Sequence, residues 1–454
     1  MADKSIIRDL TTGSVTKTLL VTAFPLMLSS LLQIAYNLVD ISVVGRYIGT
    51  AGLVAVSSGG DITGLLATFC IGFATAGQVI IAQQIGVGDE KGIAKTIGNL
   101  ISIQIVMAII VMIIGFSCSQ FILELINVPQ ESSEMAWQYV SCCFLGTVFI
   151  FGYNGFAAIL RGMGETRLPF IFILISSVTN VILDLLFVAK FNMGIYGAAL
   201  ATVIGQAFSF FACLIYLYRH RVQFHFDFKP CSFKFEKNTV ISIFSLGIPL
   251  ALQSAAISVS KLVINSYINE YGVATAAISG TGTKIGQCTW IVTDAIKSSG
   301  ASVIGQSYGA GKPERVRKTV YVALTLGVAF AAVLSIFMIL FPTQIFGIFD
   351  TNPEYLALVA FYVPIAVMKF FGNALRCPMM ALISGLGKSS LSLAIGLLDG
   401  VVARIFLSIY MGGPLGMGIM GFWYGDVIAG FLPFVIGGVF FWSGAWKKTK
   451  LRSV

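Results

Sequence analysis

The chain has 454 residues, of which 57% are hydrophobic and only 11% charged. An ordinary soluble domain carries about 25% charged residues, and the mean hydropathy here is +0.89. These values exclude a water-soluble globular enzyme, a disordered chain and a nucleic-acid binder, and the net charge of +9 reads as basic loops on the cytoplasmic side of a membrane.

A bilayer span takes about 20 apolar residues. Apolar runs separated by polar punctuation predict twelve helices, in chain order 18–42, 51–82, 96–119, 135–159, 168–189, 195–218, 239–268, 273–305, 318–343, 354–383, 390–411 and 417–443. The runs are far longer than a barrel strand of about 9–11 residues and do not alternate. The polar, charged segment Met1 to Lys17 is unlike a cleavable signal peptide. With the N-terminus inside, 21 lysines and arginines fall in cytoplasmic segments and two, Arg46 and Lys190, in outer loops. That bias places both termini in the cytoplasm.

The two halves of the chain match at an offset of 223 or 224 residues. Pro25 in FPLML corresponds to Pro249 in IPLAL, and QQIGVGD (Gln83 to Asp89) to QSYGAGK (Gln306 to Lys312). Gly162-Met163-Gly164 corresponds to Gly385-Leu386-Gly387, and Met193 to Gly197 to Met417 to Gly421. Each half has six helices and so keeps the same orientation. The expected fold is an all-α membrane protein of twelve transmembrane helices in two six-helix lobes, related by a pseudo-twofold axis along the membrane normal. The expected domains are an N-lobe (1–218), a cytoplasmic linker (219–238) and a C-lobe (239–454) with a basic tail. In the linker Phe224, Phe226, Phe228, Phe233 and Phe235 alternate with polar residues, a strand-like or interfacial pattern.

The eight cysteines form no CxxC pair and lie mostly in apolar runs, so buried small hydrophobes are expected. The two histidines, His220 and His225, share one polar stretch, which excludes a histidine site within the membrane.

An ionised residue at the centre of a span costs at least about 2.5–3.5 kcal/mol and marks a functional candidate. Six aspartates lie within spans: Asp40, Asp61, Asp184, Asp294, Asp399 and Asp426. Asp40, Asp184 and Thr202 all fall in the outer half of the N-lobe. Asn180 lies one turn before Asp184, and Tyr36 one turn before Asp40, each on the same helix face. An oxygen-rich group of this kind suits a hard cation or shared protons. Alternatively, each aspartate bonds its own helix. No Lys or Arg falls within the expected N-lobe spans to neutralise them. Pro25 and Pro249 interrupt the first helix of each half, as static kinks or hinges.

The C-lobe spans differ. Lys261, Lys284, Lys297, Lys369, Arg376 and Arg404 stand against Asp294, Asp399 and Asp426. Asp294 and Lys297 are spaced to pair. Lys284 occupies the repeat position of Asp61. The remaining bases point to a cavity tolerant of anionic or zwitterionic groups. GAGK (Gly309 to Lys312) and GLGKSS (Gly385 to Ser390) lack the leading glycine of a phosphate loop. Uphill transport must therefore draw on an ion gradient.

Over essentially its whole length the sequence resembles the multidrug and toxic compound extrusion (MATE) family. The resemblance rests on two six-helix halves, the prolines of the first and seventh helices, the QxxGxGD and QxxGxGK loops, RGMGET and SGLGKS, and GIYGAALAT. Asp40 with Asn180-x-x-x-Asp184 resembles the prokaryotic DinF-like branch. The resemblance implies a coupling-cation site of Asp40, Asn180, Asp184 and Thr202, the same four being candidate Na⁺ ligands, with Tyr36 and Asn154 as neighbours. It implies export of amphipathic, often cationic, small molecules in exchange for H⁺ or Na⁺, for which the two lobes would supply alternating access and Pro25 and Pro249 are the candidate hinges. Candidate substrate-cavity residues are Asn37, Asp61, Gln253, Lys284, Lys369 and Asn373. The seventh helix offers Gln253 where other branches carry an acid, and the tenth offers Lys369, Asn373 and Arg376 but no acid.

The expected protein is a monomeric, multi-pass transporter of the bacterial inner membrane. It is not an enzyme, has no cofactor beyond its coupling ion, and binds lipid and small molecules but no nucleic acid. A flippase for a lipid-linked sugar or pyrophosphate, or an exporter of an anionic or zwitterionic metabolite, is the alternative. An intramembrane protease or lipid transferase finds no HExxH, GxGD or DDxxD motif.

Overall fold

The computed structural model describes residues 7–125, 128–224, 226–449 and 451, the side chains of residues 65, 66 and 125 excepted. His225 and the first six residues of the N-terminal segment lie outside them. The described chain is mostly helical, and among the described residues there is no strand.

In chain order the helices are α1 (Val15–Tyr47), α2 (Thr50–Val87), α3 (Glu90–Leu125), α4 (Gln130–Leu145), α5 (Thr147–Gly162), α6 (Arg167–Asp184) and α7 (Gly194–Arg219). They continue with α8 (Lys237–Asn269), α9 (Val273–Gly309), α10 (Pro313–Leu340), α11 (Pro342–Gly347), α12 (Pro353–Gly385), α13 (Ser389–Leu397), α14 (Arg404–Gly412), α15 (Ile419–Ala429) and α16 (Leu432–Trp442). Among the described residues, ten spans are long and apolar enough to cross a bilayer, or eleven if α4 and α5 together count as one. The remaining long helix, α9, reaches 37 residues but carries Lys284, Asp294 and Lys297, which lower its hydropathy.

Several expected spans are interrupted, three of them at informative positions. The one expected at 135–159 bends by 47° between α4 and α5. The bend falls at Gly146, where a Cβ would lie 2.6 Å from Val203 of α7, so only glycine admits this approach. The span at 168–189 changes to a π turn at Leu185–Lys190, directly after Asp184. The span at 390–411 contains a π turn at Leu398–Ala403, which holds Asp399. Single π turns inside helices are rare and recur at functional sites.

By internal contacts the chain divides into two compact units. Of the described residues, the first holds 7–9 and Phe24–Ala251, and the second Leu10–Ala23, 252–449 and 451. One division falls just before Pro25, inside α1, and another just after Pro249, inside α8. Each proline removes a backbone hydrogen bond from its helix, so the ladder is weakest where contacts change allegiance. In the second unit the segment ahead of α1 is held by Gln306, which accepts from the Leu10 amide at 2.9 Å. Arg315 donates to the carbonyls of Leu10, Thr12 and Gly13.

The sequence repeat is also a repeat of atomic contacts. Left-handed glycines recur in pairs at the repeat offset: Gly49 with Gly272, Gly88 with Gly311, Gly164 with Gly387, and Gly194 with Gly418. Each ends or begins a helix with a positive φ that a side chain tolerates poorly. The GAGK and GLGKSS motifs are therefore helix C-termini. A Cβ on Gly162 would meet the Gln78 carbonyl at 2.7 Å, and one on Gly385 the Ala301 carbonyl, also at 2.7 Å.

The linker corrects the strand-like expectation. Phe224 and Phe226 are buried in the core of the first unit, and Phe226 packs edge-on against Phe228 and Phe233. A short 3₁₀ turn, Pro230–Phe233, closes the segment. The alternation thus records an aromatic plug set into helices. The Ser232 hydroxyl and the Lys229 amide, bonded to Asp227, hold its carboxyl below the usual carboxylate range. Five cysteines are buried, Cys118 is intermediate, and Cys231 and Cys288 are exposed.

Candidate functional site

The N-lobe acids come together in the first unit. Asp40 sits late in α1, Asn180 and Asp184 end α6, and Thr202 lies two turns into α7. Helices α6 and α7 touch closely because Gly205 has no side chain. A Cβ there would lie 3.0 Å from the Ser176 carbonyl and 3.2 Å from the Asn180 Cβ. We expect Gly205→Ala to part the two helices at a cost of about 1–3 kcal/mol. A lowered Tm in detergent, with a larger loss for Gly205→Val, checks this.

Thr202 donates its hydroxyl to the Ala198 carbonyl at 3.1 Å and accepts from the Asn180 amide nitrogen at 3.4 Å. The Asn180 amide is therefore oriented, with its nitrogen committed and its oxygen left over. That oxygen is buried without a partner, as are Asp40 Oδ1 and both oxygens of Asp184. Asp184 is fully buried and Asp40 is 6% exposed. The two carboxyls lie within electrostatic reach of each other, and neither forms an ion pair among the described residues. Buried polar atoms are normally hydrogen-bonded, so four orphaned acceptor oxygens in one place mark a candidate binding site. The donor set is all oxygen, which fits a hard cation such as Na⁺, or protons on the carboxyls.

Tyr36 lies within reach of Asp40, as its spacing predicts. Asn154, the other expected neighbour, donates to the Ile150 carbonyl of its own helix at 2.8 Å. Helix α5 runs on to Gly162 and so contains Arg161, beyond the expected end of that span. Its guanidinium bonds Gln78. Two residues had not been anticipated. Tyr139 of α4 lies within reach of Asp40, Tyr36 and Cys143, where Gly59 lets α2 close on its ring. Ser177 is buried with an unpartnered hydroxyl and shares a helix face with Asn180 and Asp184. The 177-180-184 spacing was visible in the sequence; nothing in it marked Tyr139.

The candidate cavity residues fall in both units. Asn37 and Asp61 are exposed residues of the first. In the second, Lys284 is exposed and Asn373 half-buried, while Gln253 is buried and accepts from the Ser392 hydroxyl at 2.7 Å. Asp294 pairs with Lys297, and Lys369 with Asp426 at 3.7 Å.

Comparison with known proteins agrees with this architecture. The MatE family model matches residues 25–186 and 249–410, once in each repeat. The chain is 28% identical over 357 residues to the probable multidrug resistance protein YoeA of Bacillus subtilis, covering 77% of each. It is 24% identical over 438 residues to the probable multidrug resistance protein NorM of Thermotoga maritima, covering 95% of this chain and 93% of that one. A crystal structure of MATE in the straight conformation superposes with a TM-score of 0.90 at 21% identity, over 99% of this chain and 100% of the other. With the family model matching well over half of its length, and the same all-helical fold throughout, the chain belongs to the MATE family of multidrug-efflux transporters: a multi-pass membrane protein that moves small molecules and is not an enzyme.

Proposed function

We propose that this transporter is an antiporter of the bacterial inner membrane, exporting amphipathic, often cationic, small molecules in exchange for H⁺ or Na⁺. The observation that carries the reading is the group of unpartnered buried oxygens on Asp40, Asn180 and Asp184. Two carboxylates left uncompensated in hydrocarbon are costly, and a cation or proton from outside offsets that cost. Binding there favours one arrangement of α1 and release favours another, with Pro25 as the flexible point. The driving force suffices: one charge crossing 100 mV is worth about 2.3 kcal/mol. Both termini face the cytoplasm in this reading, on the strength of the basic loops, and the monomer is the working unit.

The test is efflux of a panel of cationic dyes from proteoliposomes, with ΔpH and the Na⁺ gradient collapsed separately. Collapse of the coupling gradient should stop efflux, and collapse of the other should not. Pro25→Ala should slow efflux under the same gradient. Efflux indifferent to both gradients overturns the reading.

A further inference from the structure

Among the described residues, the second unit carries a charge cluster with no counterpart in the first. Helix α12 places Lys369 and Arg376 two turns apart on one face. Asp399 and Arg404 are five residues apart across the π turn Leu398–Ala403. A π turn closes i→i+5 backbone hydrogen bonds, and here the two side chains meet, Nη2 to Oδ1 at 2.7 Å. Arg376 takes the other Asp399 oxygen at 2.8 Å. Arg404 also pairs with Asp426, whose second oxygen faces Lys369 at 3.7 Å. Both carboxylates are thus fully engaged.

Lys261 of α8 lies within electrostatic reach of Lys369, Arg376, Arg404 and Asp426, yet makes no ion pair among the described residues. Four cations therefore stand against two carboxylates. The next charges, Asp294 and Lys297, neutralise each other. The group keeps a surplus of two positive charges, in a span region where each costs at least about 2.5–3.5 kcal/mol. Accessibility shows where the surplus faces. The Asp399 side chain is 0% exposed and that of Arg404 is 7% exposed, whereas those of Arg376 and Lys369 reach 24% and 21%. Lys261 is exposed. Asp399 is sealed inside and Asp426 is 18% exposed beside Lys369, so the most exposed charged groups of the cluster are the cations Lys261, Arg376 and Lys369. Gly286 of α9 adds no side chain beside the Lys369 stem, where a Cβ would lie 3.5 Å away.

We infer that Lys261, Lys369 and Arg376 form an anion-binding face in the second unit, for a carboxylate or phosphate group of a transported molecule or of a lipid headgroup. The surplus charge is structural in origin. Asp399 and Asp426 hold the bases in place, and Lys261, which they leave unmatched, supplies the attraction. The face is separate from the Asp40/Asp184 site and goes beyond the antiport reading.

The test uses the full chain, purified in lipid-free detergent. Equilibrium binding of radiolabelled benzoate and phenyl phosphate is set against trimethylphenylammonium, a cation of similar size. Both anions should bind saturably, and Lys261→Gln should weaken them about tenfold or more. Lys261→Arg should restore them, and Lys91→Gln, at an exposed base of the first unit, should leave them unchanged, which separates this face from a general effect of net charge. Displacement of both probes by phosphatidylglycerol assigns the anion to a lipid headgroup, and its failure to displace assigns it to a soluble molecule. Sulfate competition in the wild-type protein gives a second reading that needs no variant. Saturable binding of the cation but neither anion, wild-type anion affinity in Lys261→Gln, or indifference to sulfate overturns the inference.

Discussion

Asp184→Asn should abolish ion-driven efflux and, at the same time, make the protein more stable. The two effects share one cause. Asp184 is fully buried, and both of its oxygens lack partners. Uncharged asparagine removes a cost of at least about 2.5–3.5 kcal/mol for a charge held within a span. It also removes the charge that a coupling cation would answer. Reconstituted Asp184→Asn should lose at least about tenfold in efflux under an imposed ΔpH or ΔpNa, a barrier change of about 1.4 kcal/mol. Its Tm in detergent should rise. Asp40→Asn should move both quantities the same way by less, since only one Asp40 oxygen is orphaned and the residue is slightly exposed. A variant that loses both activity and stability would show the aspartate to be a structural residue, and unchanged coupled efflux would remove it from the coupling site altogether.

Arg404→Met should act in the opposite way, destabilising the protein severely. Arg404 bridges Asp399 and Asp426 and donates to the Asp426 carbonyl at 3.0 Å. Removing one partner of a buried pair leaves an uncompensated charge and costs about 3–5 kcal/mol. Here two carboxylates lose their shared cation. Asp399 keeps only Arg376, and Asp426 keeps a lysine at 3.7 Å. We expect Arg404→Met to be recovered mainly as aggregate by size-exclusion chromatography. Adding Asp426→Asn should recover folded protein, because contacting residues couple by about 0.5–3 kcal/mol. Monodisperse Arg404→Met at wild-type yield would mean that the cluster contributes nothing to folding. The contrast between the two arginine-free acids of the first unit and the arginine-saturated acids of the second is the main chemical difference between the repeats.

Much of the candidate site was legible in sequence because helical spacing is local. Asn180 and Asp184 are one turn apart, as are Tyr36 and Asp40, and a single helix enforces both relations. The approach of Thr202 to Asn180 needed two helices and the gap at Gly205. Tyr139 was invisible for the same reason. It comes within reach of Asp40 from a different helix, and no spacing along α4 records that. Extent along a helix was equally hard to read. Arg161 lies past the last apolar residue of its run, yet the helix continues through it.

The second unit shows where sequence reasoning stops. Counting charges found a basic excess in the C-lobe spans. Which base answered which acid depended on a π turn, and hydropathy does not reveal a change from i→i+4 to i→i+5 backbone bonding. The linker phenylalanines give a similar lesson. Their alternation matched a strand, but burial inside a helical bundle imposes no single period on an irregular segment.

By itself the sequence determined the class of the protein, its spans and its duplication, because solvation and repetition are properties of the chain. A hydrocarbon environment demands long apolar helices, and the recurring glycines mark where each must end. Tertiary structure decided which charges are answered. It left Asp40 and Asp184 without cations and gave Asp399 and Asp426 an excess of them. The reason is distance: electrostatic energy in a medium of low dielectric constant turns on separations of a few ångströms between different helices, and those separations are set by packing.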